Sequence, residues 1–335
     1  MGKEQVFWEL QKNDGAFISG EALSEKLGIS RAAVWKSIRA LRRDGYTIAS
    51  QVGSGYRLEQ SPDTLTEREI RRHLSATETV GREIECFDTI GSTNTYLTLL
   101  ENAPDGLVAV AQEQTSGRGR RGRSFESAAK KGVYLSVLLR PQMEASALMS
   151  LTGLGAVAAC DAIERVAGVR PKIKWTNDLI LNSKKLAGIL TELSFEGESG
   201  AVQYAVMGIG VNVSQTEEDF SAETGKLATS LSRETGRSIS RAALAAALIE
   251  EFDALWTTLK GGSTAQYLEK YRRDCLTVGA EVQLLWQDTR EKVVALDVDE
   301  QFGLVVRREN GAVETIRTGE VSVRGLYGYV DEEEK

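Results

Sequence analysis

Near the start of the chain, apolar positions recur at helical spacing. Val6, Phe7 and Leu10 mark a first helix. Ala22, Leu23 and Leu27 give residues 21–27 a buried face behind Ser19, and Gly28-Ile29-Ser30 makes a tight turn. Ser30 is then a natural N-cap for a third helix, 31–43, with Val34, Ile38 and Leu41 at i, i+4 and i+7. Asp44-Gly45 stops it. Residues 46–49 and 52–58, arranged around glycines, read as two short strands forming a wing. Ser61-Pro62-Asp63 breaks the pattern, and the charged stretch that follows to Arg72 reads as a linker with a short helix.

Beyond residue 81 the pattern becomes mixed. Strand-like runs at 84–87, 107–111, 133–139, 172–175 and 179–181, a longer one from Lys185, and another at 202–213 alternate with helical stretches at 95–100, 146–166, 240–259 and 267–271. Leu244, Leu248 and Phe252 form one stripe of the 240–259 helix. From about Cys275 only short alternating strands remain (282–286, 292–298, 303–307, 312–316 and 320–323), with Asn310-Gly311 as a hairpin signal. The expected fold is α/β and multidomain. A winged helix-turn-helix occupies 1–62, a linker 63–80, a mixed α+β domain 81–274, and a small β-barrel 275–335.

Charge sharpens the first domain. The 31–43 helix carries Arg31, Lys36, Arg39, Arg42 and Arg43 and no acidic residue, in a chain of net charge −7. Positive charge on the second helix of a helix-turn-helix is what a DNA-reading face needs, so Ser30, Arg31, Ala32, Ala33, Trp35, Lys36 and Arg39 are the candidate DNA-binding residues. Three widely spaced cysteines fit neither a metal site nor a disulfide framework and suggest a reducing cytoplasm. The start lacks a signal-peptide core, and the low-charge run 145–160 is too short and too weakly apolar to span a bilayer. The single histidine, His73, lies in a charged stretch with no triad partners near it.

The candidate chemistry centres on residues 117–123, where four arginines and three glycines alternate. Glycine lets backbone approach a ligand, and arginine offers a permanently charged fork for carboxylate and phosphate. The stretch contains a literal G-x-G-x-x-G, but polar residues precede it and a strand follows, so no helix opens where a dinucleotide would need one. No P-loop motif occurs. A Lys174-Trp175-x-Asn177-Asp178 turn and a strand opening with Lys185-Leu186-Ala187-Gly188 add cations and one carboxylate, Asp178, able to help hold magnesium. No nucleophilic Ser or Cys has a base beside it. Phosphate-centred displacement, driven by positioning and charge neutralisation, is the chemistry best suited.

Taken together, residues 117–123, Lys174-Trp175-Thr176-Asn177-Asp178 and Lys185-Leu186-Ala187-Gly188-Ile189-Leu190 resemble the signature of the biotin protein ligases. Ser92-Thr93-Asn94, Gln114 and Gly208-Ile209-Gly210-Val211-Asn212 stand in the expected order, and residues 19–58 are similar to the members that also repress the biotin operon. The resemblance covers nearly the whole chain. It implies a class II synthetase-like ligase domain and an SH3-like C-terminal barrel. It also implies two half-reactions: biotin and ATP, with Mg²⁺, give biotinyl-5′-AMP and pyrophosphate, and a lysine of biotin carboxyl carrier protein then takes the biotinyl group. Lys185, Arg120 and Asp178 would be catalytic, with Asp178 near the metal. Ser92, Thr93, Asn94, Gln114, Arg118, Gly119, Arg120, Lys185 and Gly188 would bind biotin. Arg118, Arg120, Arg121, Lys174, Trp175, Asn177, Asn212 and Arg324 would bind the nucleotide. Operator DNA and a homodimer formed on biotinyl-5′-AMP are the implied partners, with no membrane. Phe125 stands where the family usually has Trp, and Thr176 where it often has Pro. Two alternatives stand beside this reading. One is a lipoate-type protein ligase, opposed by the arginine loop and the winged helix. The other is a non-catalytic effector-binding transcription factor, opposed by Lys185 and Asp178.

Overall fold

A computed structural model describes residues 2–196, 201–286, 289–317 and 320–323. It falls into two compact units, Met1–Asp63 and Thr64–Lys335.

The first unit holds α1 (Gly2–Lys12), α2 (Gly20–Leu27), α3 (Arg31–Arg43) and the hairpin β1 (Thr47–Gln51) and β2 (Gly55–Gln60). Ser19 and Ser30 cap α2 and α3 by accepting from the amides of Ala22 and Ala33 at 3.0 and 3.2 Å. Val6, Phe7, Leu10, Leu23, Val34, Ile38 and Leu41 form its core with Tyr46 and Ile48. The wing turn sits at Val52–Ser54 rather than inside the second strand. Gly55, at φ +106°, presses against the Ile18 backbone; a Cβ there would lie 2.0 Å from the Ile18 carbonyl oxygen. Arg42 turns back to bind the Ile48 carbonyl and the Ser50 hydroxyl, so this basic residue ties α3 to the wing.

The second unit is built on a seven-stranded sheet. Its strands are β3 (Ile84–Phe87), β4 (Val108–Ala111), β5 (Gly132–Leu139), β6 (Lys172–Lys174), β7 (Asp178–Leu181), β8 (Lys184–Phe195) and β9 (Val202–Asn212), in the order β3-β4-β5-β9-β8-β7-β6. Only β3 and β4 are parallel. Alternation sends Val108, Val110 and Val137 to one face and Ala109 and Leu138 to the other. The helices of the unit are α4 (Glu67–His73), α5 (Thr93–Thr98), α6 (Ala145–Leu148), α7 (Leu151–Ala167), α8 (Thr224–Leu227), α9 (Leu231–Thr235), α10 (Arg241–Lys260) and α11 (Ala265–Asp274). The main core lies under α7 and α10, while α5 packs on the opposite face.

Three details differ from the expected pattern. The short helix expected in the linker is α4, but the segment does not run free: Leu65, Ile70 and Val80 are buried in the main core. The helix expected over 146–166 breaks at Met149–Ser150, where the Ser150 hydroxyl bonds the Ala147 carbonyl instead of pointing to solvent. Together α6 and α7 span Ala145–Ala167, long and apolar enough to cross a membrane by length and composition alone. Here it is a core helix, mostly buried within the protein. Finally, α10 buries far more than one stripe, because α4, α7 and β5 all contact it.

Asp253 on α10 accepts hydrogen bonds from the amides of Glu78, Thr79 and Val80 at 2.7–2.8 Å and is nearly buried. Asp253→Ala strands three donors, and it is expected to cost ~3 kcal/mol of stability. A denaturant midpoint equal to wild type would refute this.

The C-terminal SH3-like part comprises β10 (Glu281–Trp286), β11 (Thr289–Val298), β12 (Leu304–Arg308), β13 (Val313–Ile316) and β14 (Glu320–Val323), antiparallel in the order β13-β12-β11-β10-β14. A bulge between Ala295 and Asp297 bends it. The hairpin turn uses Asn310-Gly311, with Gly311 at φ +84°.

Candidate active site and DNA-reading helix

The β8–β9 register places Gly188 opposite Gly210 and Leu190 opposite Gly208, which leaves a strip of sheet without side chains. A Cβ on Gly208 would lie 1.9 Å from Asn94 Oδ1, and one on Gly210 would lie 2.4 Å from the Phe125 ring. These glycines are therefore the floor of a site. Over it sits a cavity of about 120 Å³. Ser92, Thr93 and Asn94 at the start of α5 close one end, beside Gln114. Gly188 and Lys185 bound the other, and Arg118, Gly119 and Arg120 cover it. Gln114 accepts from the Thr93 amide and hydroxyl at 2.8 and 3.0 Å and donates to Ser127. It therefore braces the end wall.

A second cavity, about 400 Å³, continues from the first. Lys174, Trp175 and Asn212 line it, with Phe220 and Thr224 from the segment before β10. Arg120, Arg123, Ser124, Phe125, Asn177, Asp178 and Lys185 line both cavities and so mark their junction. There Lys185 Nζ lies 2.7 Å from Asp178 Oδ1. Arg120 donates to Thr176 Oγ1 and Asn177 Oδ1 at 2.9 and 3.1 Å, while Asn177 Nδ2 bonds the Ile189 carbonyl at 3.0 Å. The Trp175–Thr176 peptide bond is cis. Trp175 turns its indole N–H to the Phe302 carbonyl at 2.8 Å, which fixes the C-terminal sheet against this turn.

The arginine stretch is a closed hairpin. The Gly119 amide bonds the Arg123 carbonyl at 2.7 Å, and Phe125 bonds Gly117 at 2.9 Å. Its only helical turn is the short Arg120–Gly122, so the rejected dinucleotide motif indeed opens no α-helix. Glu192 supplies counter-charge to Arg118 at 2.9 Å. Next to the hairpin, Glu126 accepts from the Ser221 amide and hydroxyl and from Thr224 Oγ1, at 2.7–2.9 Å. That bond set holds the rim of the larger cavity in place.

Most of the predicted residues meet here; two stand apart from where they were expected. Arg121, expected at the nucleotide, lines none of the three cavities; it is exposed at φ +54°, because the tight turn swings successive side chains apart. Arg118, expected at both ligands, lines only the smaller cavity. Arg324 lies outside the described residues. The sequence reading missed Arg123, Ser124, Ser136, Glu192 and the 220–228 rim. Arg123 was legible in the arginine run, but the others carry no motif. The cysteines offer no nucleophile: burial pushes the Cys86 thiol up to about 12 and raises Cys160 and Cys275 as well. His73 lines none of these three cavities.

On α3, Arg31, Ala32, Trp35, Lys36 and Arg39 are exposed, and the Arg39 guanidinium stacks 4.7 Å from the Trp35 ring centroid. Ala33 is half-buried, and Ser30 is the cap.

Comparison with known proteins accounts for both halves. Residues 86–212 match the biotin/lipoate A/B protein ligase family, and residues 3–57 match a helix-turn-helix domain family. The bifunctional ligase/repressor BirA of Bacillus subtilis is 40% identical over 274 residues, 81% of this chain and 78% of that protein. The bifunctional ligase/repressor BirA of Escherichia coli is 30% identical over 312 residues, 93% and 94% of the two chains. The Aquifex aeolicus biotin protein ligase in complex with biotin and ATP superposes with a TM-score of 0.63 at 29% identity, covering 72% of this chain and 99% of that one. The chain belongs to the biotin protein ligases, among their bifunctional ligase/repressor members.

Proposed function

We propose that biotin occupies the smaller cavity and ATP the larger, and that the biotin carboxylate meets the α-phosphate at the junction between them. The observation that carries this reading is the Lys185–Asp178 pair at the junction, 2.7 Å apart, with Arg120 beside it. Phe125, Ile189, Leu190 and Ile209 give the smaller cavity apolar walls around a polar end, which suits a fused ring on an aliphatic chain. Lys174, Arg123 and Trp175 give the larger one cations and an aromatic face for a nucleotide.

In the first half-reaction a biotin carboxylate oxygen attacks the α-phosphorus, the bond to the β-phosphate oxygen breaks, and pyrophosphate leaves. Lys185 and Arg120 hold the two anions together. In the second, the neutral amine of a carrier-protein lysine attacks the acyl carbon and AMP leaves. Magnesium fits this donor set as an ion brought largely by ATP: no cluster of three His, Cys, Asp or Glu side chains exists among the described residues, and Asp178 offers one carboxylate. Bound there, it would neutralise phosphate charge. A third cavity, about 230 Å³, shares Arg120, Ile189 and Leu190 with the biotin cavity and opens beside Met149 and Phe302; it is the proposed approach for the acceptor lysine. Mass spectrometry of a carrier domain incubated with ATP and either biotin or lipoate tests the reading. A mass increase with lipoate alone would overturn it.

The same chain represses transcription through its winged helix, reading operator DNA with the exposed face of α3. One recognition helix makes few base contacts, so a homodimer on a two-fold site is proposed. Beyond Gly188, β8 has no β7 partner, and this edge is a surface on which a second copy can pair once biotinyl-5′-AMP is bound. ATP, carrier protein and DNA meet in the cytoplasm, where the protein is proposed to act. The proposed domain limits are 1–62 for DNA binding, 81–274 for catalysis and 275–335 for the barrel, with 63–80 between the first two. A chain starting at Thr64 is expected to keep ligase activity and lose operator binding. Retained footprints with that chain would refute the division.

A further inference from the structure

Asn94 lines the biotin cavity, yet its amide hydrogens are already committed. Its Nδ2 donates to Glu192 Oε2 at 2.9 Å and to the Leu190 carbonyl at 3.3 Å. Ser136 Oγ lies 2.6 Å from its Oδ1, and Gly208 packs so closely that no larger residue fits. Asn94 is therefore part of the frame of the cavity. The other Glu192 oxygen, Oε1, lies 2.9 Å from Arg118 Nη1 on the arginine hairpin. A single carboxylate on β8 thus holds the end wall of the cavity with one oxygen and its cover with the other. Four arginines in seven residues repel one another, and Glu192 supplies a fixed counter-charge under their first member.

We propose that Glu192 is a positioning residue for biotin: it joins Asn94 to Arg118, so that ordering the ring end of the cavity and closing the arginine hairpin are one event. This rests on the smaller cavity being the biotin site. Half of the Glu192 side chain's contacts can be removed selectively. Glu192→Gln keeps an acceptor for Asn94 but loses the charge that holds Arg118, so it uncouples the two without releasing the end wall.

The test is a double-mutant cycle on pyrophosphate release, with KM for biotin and for ATP measured separately. Glu192→Gln and Arg118→Ala are each expected to raise the biotin KM about tenfold, the scale of one charge-assisted hydrogen bond, with the ATP KM changing far less. The double variant should be no worse than either single one. Trypsin gives a second readout, because the hairpin arginines are its cleavage sites: biotin should protect residues 118–123 in wild type and protect them less in Glu192→Gln. Additive effects, or wild-type biotin KM and protection in Glu192→Gln beside a defective Arg118→Ala, would overturn the proposal alone. If both single variants raise only the ATP KM, the cavity assignment falls, and the proposal falls with it.

Discussion

Lys185→Ala is expected to fold normally and to lose biotin-dependent pyrophosphate release by ~10²–10³-fold, the usual cost of removing one electrostatic donor aimed at developing charge. On the proposed assignment two anions must approach each other at the junction of the cavities, and Lys185 Nζ stands there, near the start of β8. In the free protein Asp178 balances it at 2.7 Å, so the lysine is held in place before substrates arrive. Gly188 is part of the same device, since a Cβ there would come within 3.4 Å of Lys185 Nζ. The loss should appear mainly in kcat, because the carboxylate and α-phosphate gain most from the cation as they meet. A folded Lys185→Ala protein that releases pyrophosphate at the wild-type rate would take Lys185 out of the mechanism.

Local chemistry explains what the sequence made visible. Ser19, Ser30 and Ser92 each cap the helix they precede, because a hydroxyl one residue ahead of a helical run has a free amide to accept from. The arginine hairpin, the Lys174–Asp178 turn and the glycine pairs of β8 and β9 were likewise readable as short strings. What stayed hidden is pairing set by the strand order. Glu192 reaches Asn94 across 98 positions and also meets Arg118, and neither neighbour can be inferred without knowing that β8 lies beside β9, on which α5 packs. The rim at 220–228 has no motif at all. It belongs to the site because Glu126 binds Ser221 and Thr224, and because the Thr229 amide bonds the Lys185 carbonyl at 2.9 Å. Phe125 shows the middle case. It stands where the family usually has Trp, and its ring lies against Gly210 and edge-on to Tyr134, at 6.3 Å between centroids.

Arg120→Gly is expected to let the reactive acyl-adenylate escape. Arg120 lines all three cavities, and its guanidinium closes the hairpin onto Thr176 and Asn177. Removing it breaks both hydrogen bonds and opens a gap where the cavities proposed for biotin, nucleotide and acceptor meet. Adenylate formation should persist at a reduced rate, since Lys185 and Asp178 remain. Retention should suffer more, because the cover that keeps water out and the mixed anhydride in is no longer fastened. Loss of one charge-assisted contact predicts about ten- to a hundredfold faster release of biotinyl-5′-AMP. The freed anhydride would acylate lysines of bystander proteins, so serum albumin mixed with enzyme, biotin and ATP should become biotinylated well above the wild-type level. Arg121→Gly is the matched control: Arg121 lines none of the three cavities, and at φ +54° glycine relaxes its backbone, so albumin labelling should stay at the wild-type level. Equal labelling by Arg120→Gly and wild type, with adenylate still being made, would mean that the hairpin binds substrate without retaining the intermediate.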